Sequence, residues 1–410
     1  MASEIVEIEG HIIDSLILAK VMDLILAAGA DYQVLEVEIG KTNLDISRAR
    51  LEVSTADPDA LQVLLDELQV HGANRVVTVD AELVAADRDG VLPAGFYSTT
   101  NLPTAVRIGG HWVDVVQPEM DCSLVYEGMV YDGPGRLRAV PMHRVRVGDL
   151  VVVGTDGVRV SPPSRPRGVH PFEFMNSEVS SEKPKALLLQ RVADRLRRAR
   201  AGGRKILAVC GPAVIHTGAG PSVATLVREG WIDVLFAGNG FATHDLESNV
   251  MGTSLGVSVH EGTAAEGGHS NHLRIINEIR RYGSISAAVD AGYIDGGVMY
   301  ECVRRGVPFV LGGSVRDDGP LPDVYTDVVE AADAMRYLVP GIGVALMMAS
   351  TLHAIATGNL LPAGVETFCI DINPAVATKL ADRGSHQALG IVTDVGLFTS
   401  GLAEALTAGA

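Results

Sequence analysis

The sequence predicts a chain of mixed α+β and α/β construction: a ferredoxin-like N-terminal unit with a small β domain, then a parallel α/β domain. Three observations carry that expectation. The first eighty or so residues read β-α-β-β-α-β. The next stretch carries short β-type runs separated by glycine turns. Beyond a break rich in Pro, Arg and Ser at 162–171, apolar strands alternate with helical stretches to the end. The expected divisions are 1–82, 83–170 and 171–410.

Each element has its own signal. Residues 4–9 alternate like a strand, 12–28 carry leucine and isoleucine at helical spacing, and 32–39 and 49–54 alternate again. Asp57 and Pro58 open a second helix, as N-cap and first-turn proline, which runs to about Val70. A strand at 75–79 closes the unit. In the β domain the strand runs are 105–108, 112–116, 123–126, 137–140 and 150–153, with turn signals at Gly109-Gly110 and Asp132-Gly133. After the break comes a helix at 187–200, whose basic last turn suits its dipole. A buried strand at 205–210, a helix at 221–229 and strands at 232–237, 308–311 and 367–371 follow. Such alternation implies a Rossmann-like parallel sheet covered on both faces. The longest mostly apolar run, 344–356, contains His353, is too short to span a bilayer and reads as a buried helix.

Composition narrows the function. The 410 residues include 45 glycines with no collagen period, so the glycines serve turns and close backbone approaches. A net charge of -17 argues against nucleic acid or an anionic membrane as partner, and is compatible with a cationic substrate. The four cysteines are widely spaced with no CxxC, which indicates neither a disulfide framework nor a thiolate zinc site. With an acidic N-terminus lacking a signal-peptide pattern, a cytoplasmic enzyme is expected.

Four strand ends in the second half are polar and glycine-rich. Gly211 and Pro212, with Thr217, Gly218, Ala219 and Gly220, sit between a strand and a helix expected to begin at Pro221. They suit either a phosphate at a helix start or a tight turn, and the GxGxxG fingerprint is absent. Gly238, Asn239 and Gly240, followed by His244 and Asp245, end the next strand. Asn239 is a candidate for an amide or ribose contact, or a left-handed turn residue. Ser314 and Arg316 lie in a stiff Gly-Pro loop, suited to phosphate or to a solvated turn in which Arg316 pairs with Asp317. Asp371 ends a strand where an acidic side chain takes ribose hydroxyls, and Asn373 with Pro374 caps the next helix.

Five of the 12 histidines fall between His216 and His272. HExxH is absent, so contact with substrate or cofactor is preferred over a metal site. In the first half Asn101, Arg107 and Asp121 have the chemistry to bind an amino acid, Arg for the carboxylate and Asp for an ammonium, with structural pairing as the alternative. Cys122 lacks an evident His–Asp arrangement for a nucleophile. Lys183 is a candidate catalytic amine at the domain junction, and His269 a candidate acid/base.

Several longer motifs bear a family resemblance. They are Glu9-Gly10-His11-Ile12-Ile13-Asp14-Ser15, Phe172-Glu173-Phe174-Met175 with the run from Ser177 to Pro184, the 312–322 loop, and Asp371-Ile372-Asn373-Pro374 with Asp382-Arg383-Gly384. In these the chain resembles the LOR/SDH-region family, which includes archaeal-type ornithine cyclodeaminases and the C-terminal part of cyanobacterial arginine dihydrolase/ornithine cyclodeaminase proteins. The resemblance covers essentially the whole chain. It implies NAD in the C-terminal domain, with Gly218, Ala219 and Gly220 at phosphate, Asn239 and Gly240 near the cofactor, Ser314 at its loop, and Asp371 and Asn373 at ribose. It implies conversion of L-ornithine to L-proline and ammonia by transient hydride transfer, in a homo-oligomer. Because the chain begins at the ferredoxin-like unit, no attack on arginine is expected. Two other readings stand beside it: an NAD-dependent amino- or imino-acid dehydrogenase, and a non-catalytic NAD- or amino-acid-sensing module.

Overall fold

The computed structural model describes residues 2–13, 16–42, 45–76, 79–128, 135–161, 185–254, 257–258, 270–317, 319–382 and 388–407. It divides into two compact units, Met1–His170 with Leu361–Gly364, and Pro171–Leu360 with Val365–Ala410.

The first unit starts with β1 (Ala2–Gly10), α1 (Ile17–Ala27), β2 (Asp31–Glu38), β3 (Ser47–Thr55), α2 (Pro58–Val70) and β4 (Asn74–Arg75). These lie in the order β2-β3-β1-β4 with every neighbour antiparallel. That is the split βαβ arrangement expected. Period-two alternation turns Val6 and Ile8 of β1, and Ala49, Leu51 and Val53 of β3, toward the leucines of α2 and Val21 and Ile25 of α1. Glu7, Glu9, Arg48 and Arg50 take the opposite face, with Arg50 Nε 2.7 Å from a Glu7 carboxylate oxygen. Asp57 caps α2 as expected, accepting from the Asp59 N–H at 3.0 Å.

A second sheet completes this unit. It contains β5 (Glu82–Ala85), β6 (Thr104–Ile108), β7 (His111–Val116), β8 (Ser123–Tyr126), β9 (Leu137–Val140), β10 (Leu150–Val153) and β11 (Val158–Val160), ordered β11-β6-β7-β9-β8-β10-β5. Gly109 and Gly110, at φ 57° and 82°, make the two-residue turn that joins β6 to β7. β5 and β11, the two edge strands, escape the sequence reading. The Gln69 side chain donates to Val158 O at 2.6 Å, and Asn74 exchanges bonds with Val160 at 2.8 Å. Residue 82 therefore marks a change of sheet within one compact unit.

The second unit contains α3 (Lys185–Ala201), β12 (Lys205–Cys210), α4 (Ala213–His216), α5 (Gly220–Arg228), β13 (Val234–Gly238), α6 (Asn239–Met251) and a small pair, β14 (Thr253–Ser254) and β15 (Val257–Ser258). There follow α7 (Asn271–Tyr282), α8 (Ile285–Asp290), α9 (Val298–Arg305), β16 (Phe309–Gly312), β17 (Val324–Tyr325), α10 (Val328–Leu338) and β18 (Ile342–Met348). The unit ends with α11 (Leu352–Leu360), β19 (Glu366–Asp371), α12 (Pro374–Asp382), β20 (Ala388–Val392) and α13 (Val395–Thr407). The main sheet is wholly parallel, ordered β17-β16-β13-β12-β18-β19-β20. From β16 to β20 this is the Rossmann order, with β17 added outside, and the order reverses between β12 and β18.

One expectation is overturned. The apolar run 344–356 is not a helix: its first part is β18, beside β12 at the centre of the sheet, and α11 begins only at Leu352. A strand buried on both faces has no alternation, so its sequence looks like that of a buried helix. Val344, Leu346 and Met348 lie in the core of the unit, so this run gives no argument for contact with a second copy.

Candidate functional site

The carboxyl ends of β12 and β18 define the point where the strand order reverses. Ligands of open α/β sheets occupy the crevice there. Gly211, just past β12, donates its N–H to Met348 O at 3.0 Å. A Cβ at Gly211 would stand 1.8 Å from Ala349 O, so only glycine fits. Ala349 is itself left-handed, at φ 47°, and donates to Ile370 O at 2.9 Å. The ends of β12, β18 and β19 are thus laced together by backbone.

The loop after β12 differs from expectation. A one-turn helix, α4, begins directly after Pro212, and Thr217, Gly218 and Ala219 link α4 to α5, whose first residue is Gly220. Pro212, at φ -58°, already has the helical backbone angle, and Val214 and Ile215 bury into the core. The first helix start after the strand is therefore at Ala213, not Pro221. Thr217 Oγ1 donates to Ala213 O at 2.9 Å, and Gly218 adopts φ 77°.

After β13, Gly238 is extended and Asn239 is the first residue of α6, not a left-handed turn residue. The buried Asn239 Oδ1 accepts from Leu321 N at 3.0 Å, which ties the 312–322 loop to the start of α6. A Cβ at Gly240 would only touch Pro212, at 3.4 Å. His244 and Asp245 face different ways, as adjacent helical residues must. His244 Nδ1 is 2.9 Å from a Glu247 oxygen and its ring lies edge-on to His216, whose Nδ1 is 2.7 Å from Ser254 Oγ. Burial holds His216 below the usual histidine range, with His244 adding to the effect. Asp245 turns into the core and accepts from Val298 N at 3.0 Å and Met299 N at 2.8 Å. Burial pushes its pKa up to about 6 against those two bonds. Its carboxylate is committed to the start of α9 and is not available to a cofactor.

The remaining strand ends hold their polar groups in local turns, and only the cap expected at Asn373 is seen. Ser314 Oγ accepts from Arg316 N at 3.0 Å, while the Ser314 N–H donates to Asp317 at 2.8 Å. Asp317 closes the loop in this way; among the described residues the Arg316 guanidinium has no ion pair. Asp371 Oδ1 accepts from Asn373 N at 2.8 Å, and Asn373 Oδ1 from Ala375 N at 3.0 Å, at the start of α12.

Sequence reasoning passed over His353. The first turn of α11 sets its ring against the ends of β13 and β16. A Cβ built on Gly238 would lie 3.0 Å from its Cε1, and one on Gly312 3.0 Å from its Nε2. Burial lowers its pKa. Its signal was there to find: it is the single histidine of the longest apolar run.

The candidates of the first half are less well gathered. Asn101 is fully buried, and its carbonyl accepts from Ala363 N at 2.9 Å. Asp121 is exposed, left-handed at φ 61°, and donates its N–H to Thr99 O at 3.1 Å. Arg107 lies roughly 10 Å along β6 from Thr104, on the far side from Asn101, and its guanidinium is 3.0 Å from Asp80. The structure thus does not join Arg107 to Asn101 as one amino-acid clamp. A cavity of about 700 Å³ in this unit is walled by Glu7, Glu9, Arg48, Trp112 and Arg159 among others, and by none of Asn101, Arg107 or Asp121. Lys183 and His269 lie outside the described residues. Among the described residues no cluster of three or more His, Cys, Asp or Glu is placed to hold a metal, and no helix is long and apolar enough to cross a membrane.

The crevice fits a dinucleotide on its own geometry. It lies where the strand order reverses, beside the close-packed backbone of Gly211 and Ala349, and an acidic side chain stands at the β19 end. Comparison with known proteins agrees. The chain matches the ArgZ-like arginine dihydrolase C-terminal Rossmann fold over 190–402, the C-terminal first region over 103–189, and the LOR/SDH bifunctional enzyme conserved region over 3–102. It is 52% identical over 404 residues to an ornithine cyclodeaminase of Methanopyrus kandleri, covering 98% of this chain and 97% of that protein. It is 42% identical to the bifunctional arginine dihydrolase/ornithine cyclodeaminase AgrE of Nostoc, covering 98% of this chain but 58% of that one. Among solved structures, apo ArgZ from cyanobacteria superposes with TM-score 0.83 at 38% identity, over 99% of this chain and 58% of that one. The ternary complex of AgrE with ornithine and NAD+ does so with TM-score 0.53 at 41% identity, over 99% and 57%.

Proposed function

We infer the function from one premise: this chain belongs to the LOR/SDH-region family whose C-terminal half is the ArgZ-like Rossmann fold. It is an NAD-dependent ornithine cyclodeaminase, converting L-ornithine to L-proline and ammonia. The observation that carries this is the 52% identity to an ornithine cyclodeaminase along nearly the full length of both chains. When bound, NAD+ supplies a transient acceptor for one hydride, returned within the same turnover.

The chain's own groups divide the remaining work. The Asp371 carboxylate takes ribose hydroxyls and repels a 2′-phosphate. The backbone at Gly211, Pro212, Thr217, Gly218, Ala219 and Gly220, with Ser314, Arg316 and Asn373, is proposed to form the cofactor rim. Gly238 at the end of β13, and Asn239, Gly240 and His244 of α6, are proposed to support that rim. Asn101 and Asp121 are proposed to face substrate, and Arg107 to serve it only on leaving Asp80. Lys183 and His269 are proposed near the reacting nitrogens. A cytoplasmic homo-oligomer that supplies proline completes the reading; light scattering of the purified protein tests the assembly.

Purified protein given ornithine and NAD+ forms proline and ammonia with no net NADH. Steady NADH accumulation would replace this reading with an amino-acid dehydrogenase. Binding of ornithine and NAD+ without turnover would replace it with a sensing module.

A further inference from the structure

His353 occupies a place the fold had to make for it. Two strand ends, at Gly238 and Gly312, are bare where its ring lies, and a side chain on either would press on Cε1 or Nε2 at 3.0 Å. Among the described residues no hydrogen bond or ion pair holds the ring, so it caps nothing and bridges nothing. It is partly covered rather than sealed, on the carboxyl edge where a doubly wound sheet keeps its ligand. Three strand spacings of about 4.8 Å separate β13 from β19. Asp371 and His353 thus mark two poles of one crevice, roughly 14 Å apart along the sheet, a separation suited to the two ends of a dinucleotide. If Asp371 marks the adenosine ribose, His353 stands at the reacting end. Burial keeps its imidazole neutral further down in pH than a free histidine, and no charged neighbour contributes to that shift.

We propose that Nε2 of His353, in the trough between Gly238 and Gly312, carries the proton that ornithine cyclodeamination must move. The proposal rests on the functional reading above. The α-ammonium of ornithine gives one proton to Nε2, and the neutral amine then releases the Cα hydrogen as hydride to NAD+. The δ-ammonium sheds its proton to solvent, the free δ-amine closes on the resulting iminium carbon, and the C–N bond to the original α-nitrogen breaks. The departing ammonia takes the Nε2 proton and leaves as ammonium. The hydride returns to the cyclic iminium carbon. The ring nitrogen of proline takes back from solvent the proton the δ-ammonium gave up, so hydride and protons balance and no further oxidant is required.

The test uses NAD-loaded protein carrying His353→Ala. Ornithine affinity by calorimetry stays within about threefold, proline formation falls by about 100-fold or more, and added imidazole restores it by about tenfold, a group-sized rescue that a packing role would not give. Turnover within twofold of wild type, or a loss that imidazole does not restore, overturns the proposal. His353→Gln, which keeps the bulk and loses the base, gives the same loss without rescue. Should both variants fail to fold, the wild-type protein decides. With 15N-labelled histidine and L-norvaline, which lacks the δ-amine, one imidazole nitrogen moves toward its protonated position. No such movement overturns the proposal. A wild-type protein that makes no proline fails the functional reading alone, since the norvaline arm still reports whether a histidine faces a bound amino acid.

Discussion

At the scale of single residues, the sharpest constraint is the missing Cβ of Gly211. Gly211→Ala places a methyl 1.8 Å from Ala349 O, and the two strand ends must separate to admit it. The expected cost is about 3 kcal/mol, read as a lower urea midpoint together with weaker NAD retention. Asp245 gives a pH signature. Its pKa is raised to about 6 from an ordinary 3.8, so the folded state binds the proton more tightly than the unfolded one. Stability from this group grows as pH falls through 6 and is lost as pH rises. Relative to Asp245→Asn, the wild type therefore gains about 1 kcal/mol between pH 7 and pH 5, measured as the difference in unfolding free energy. From the proposed place of Asp371 at the ribose, Asp371→Asn is expected to weaken NAD binding by about tenfold and to narrow the preference over NADP; fluorescence titration with both cofactors reads this. The sequence marked Gly211 and Gly238 as members of polar, glycine-rich strand ends. It did not show what fills the space, because the Ala349 carbonyl and the His353 ring arrive from far downstream. Asp245 misled for a related reason: its partners, Val298 and Met299, become neighbours only once α9 has docked.

Among the elements, those with a visible period were legible and those without one were not. β1, β3 and α2 alternate or repeat cleanly because each has one wet face, and Asp57 announced its own cap. Asp57→Ala removes the acceptor for the Asp59 N–H and costs about 1 kcal/mol, seen as a lower midpoint for the first unit. β18 was misread as helix because it is buried on both faces and so shows no alternation, and β5 and β11 were missed at the two edges of their sheet. α4 was missed because one turn of helix between Pro212 and Gly218 looks like a loop. The site was therefore visible as a set of strand ends, while its central pair of strands was only half recognised.

For the whole molecule, two compact units imply two responses to ligand. NAD binds the second unit and stabilises it by about 2.7 kcal/mol at a hundredfold excess over Kd. A two-transition melt should show one midpoint rising with NAD and the other unchanged, with NADP far less effective. The strand order also has a consequence in time. β12 pairs with β13 almost as soon as both exist, but its other neighbour, β18, begins about 130 residues after β12 ends. At about 5–20 residues per second, a ribosome leaves that edge of β12 open for on the order of ten seconds. During this interval the nascent chain exposes an apolar strand edge, the kind of template that recruits other chains, and no cofactor can shield it because the crevice is still half unbuilt. Newly made protein is thus most vulnerable to aggregation just before Ile342–Met348 emerges, and chaperone demand should peak there.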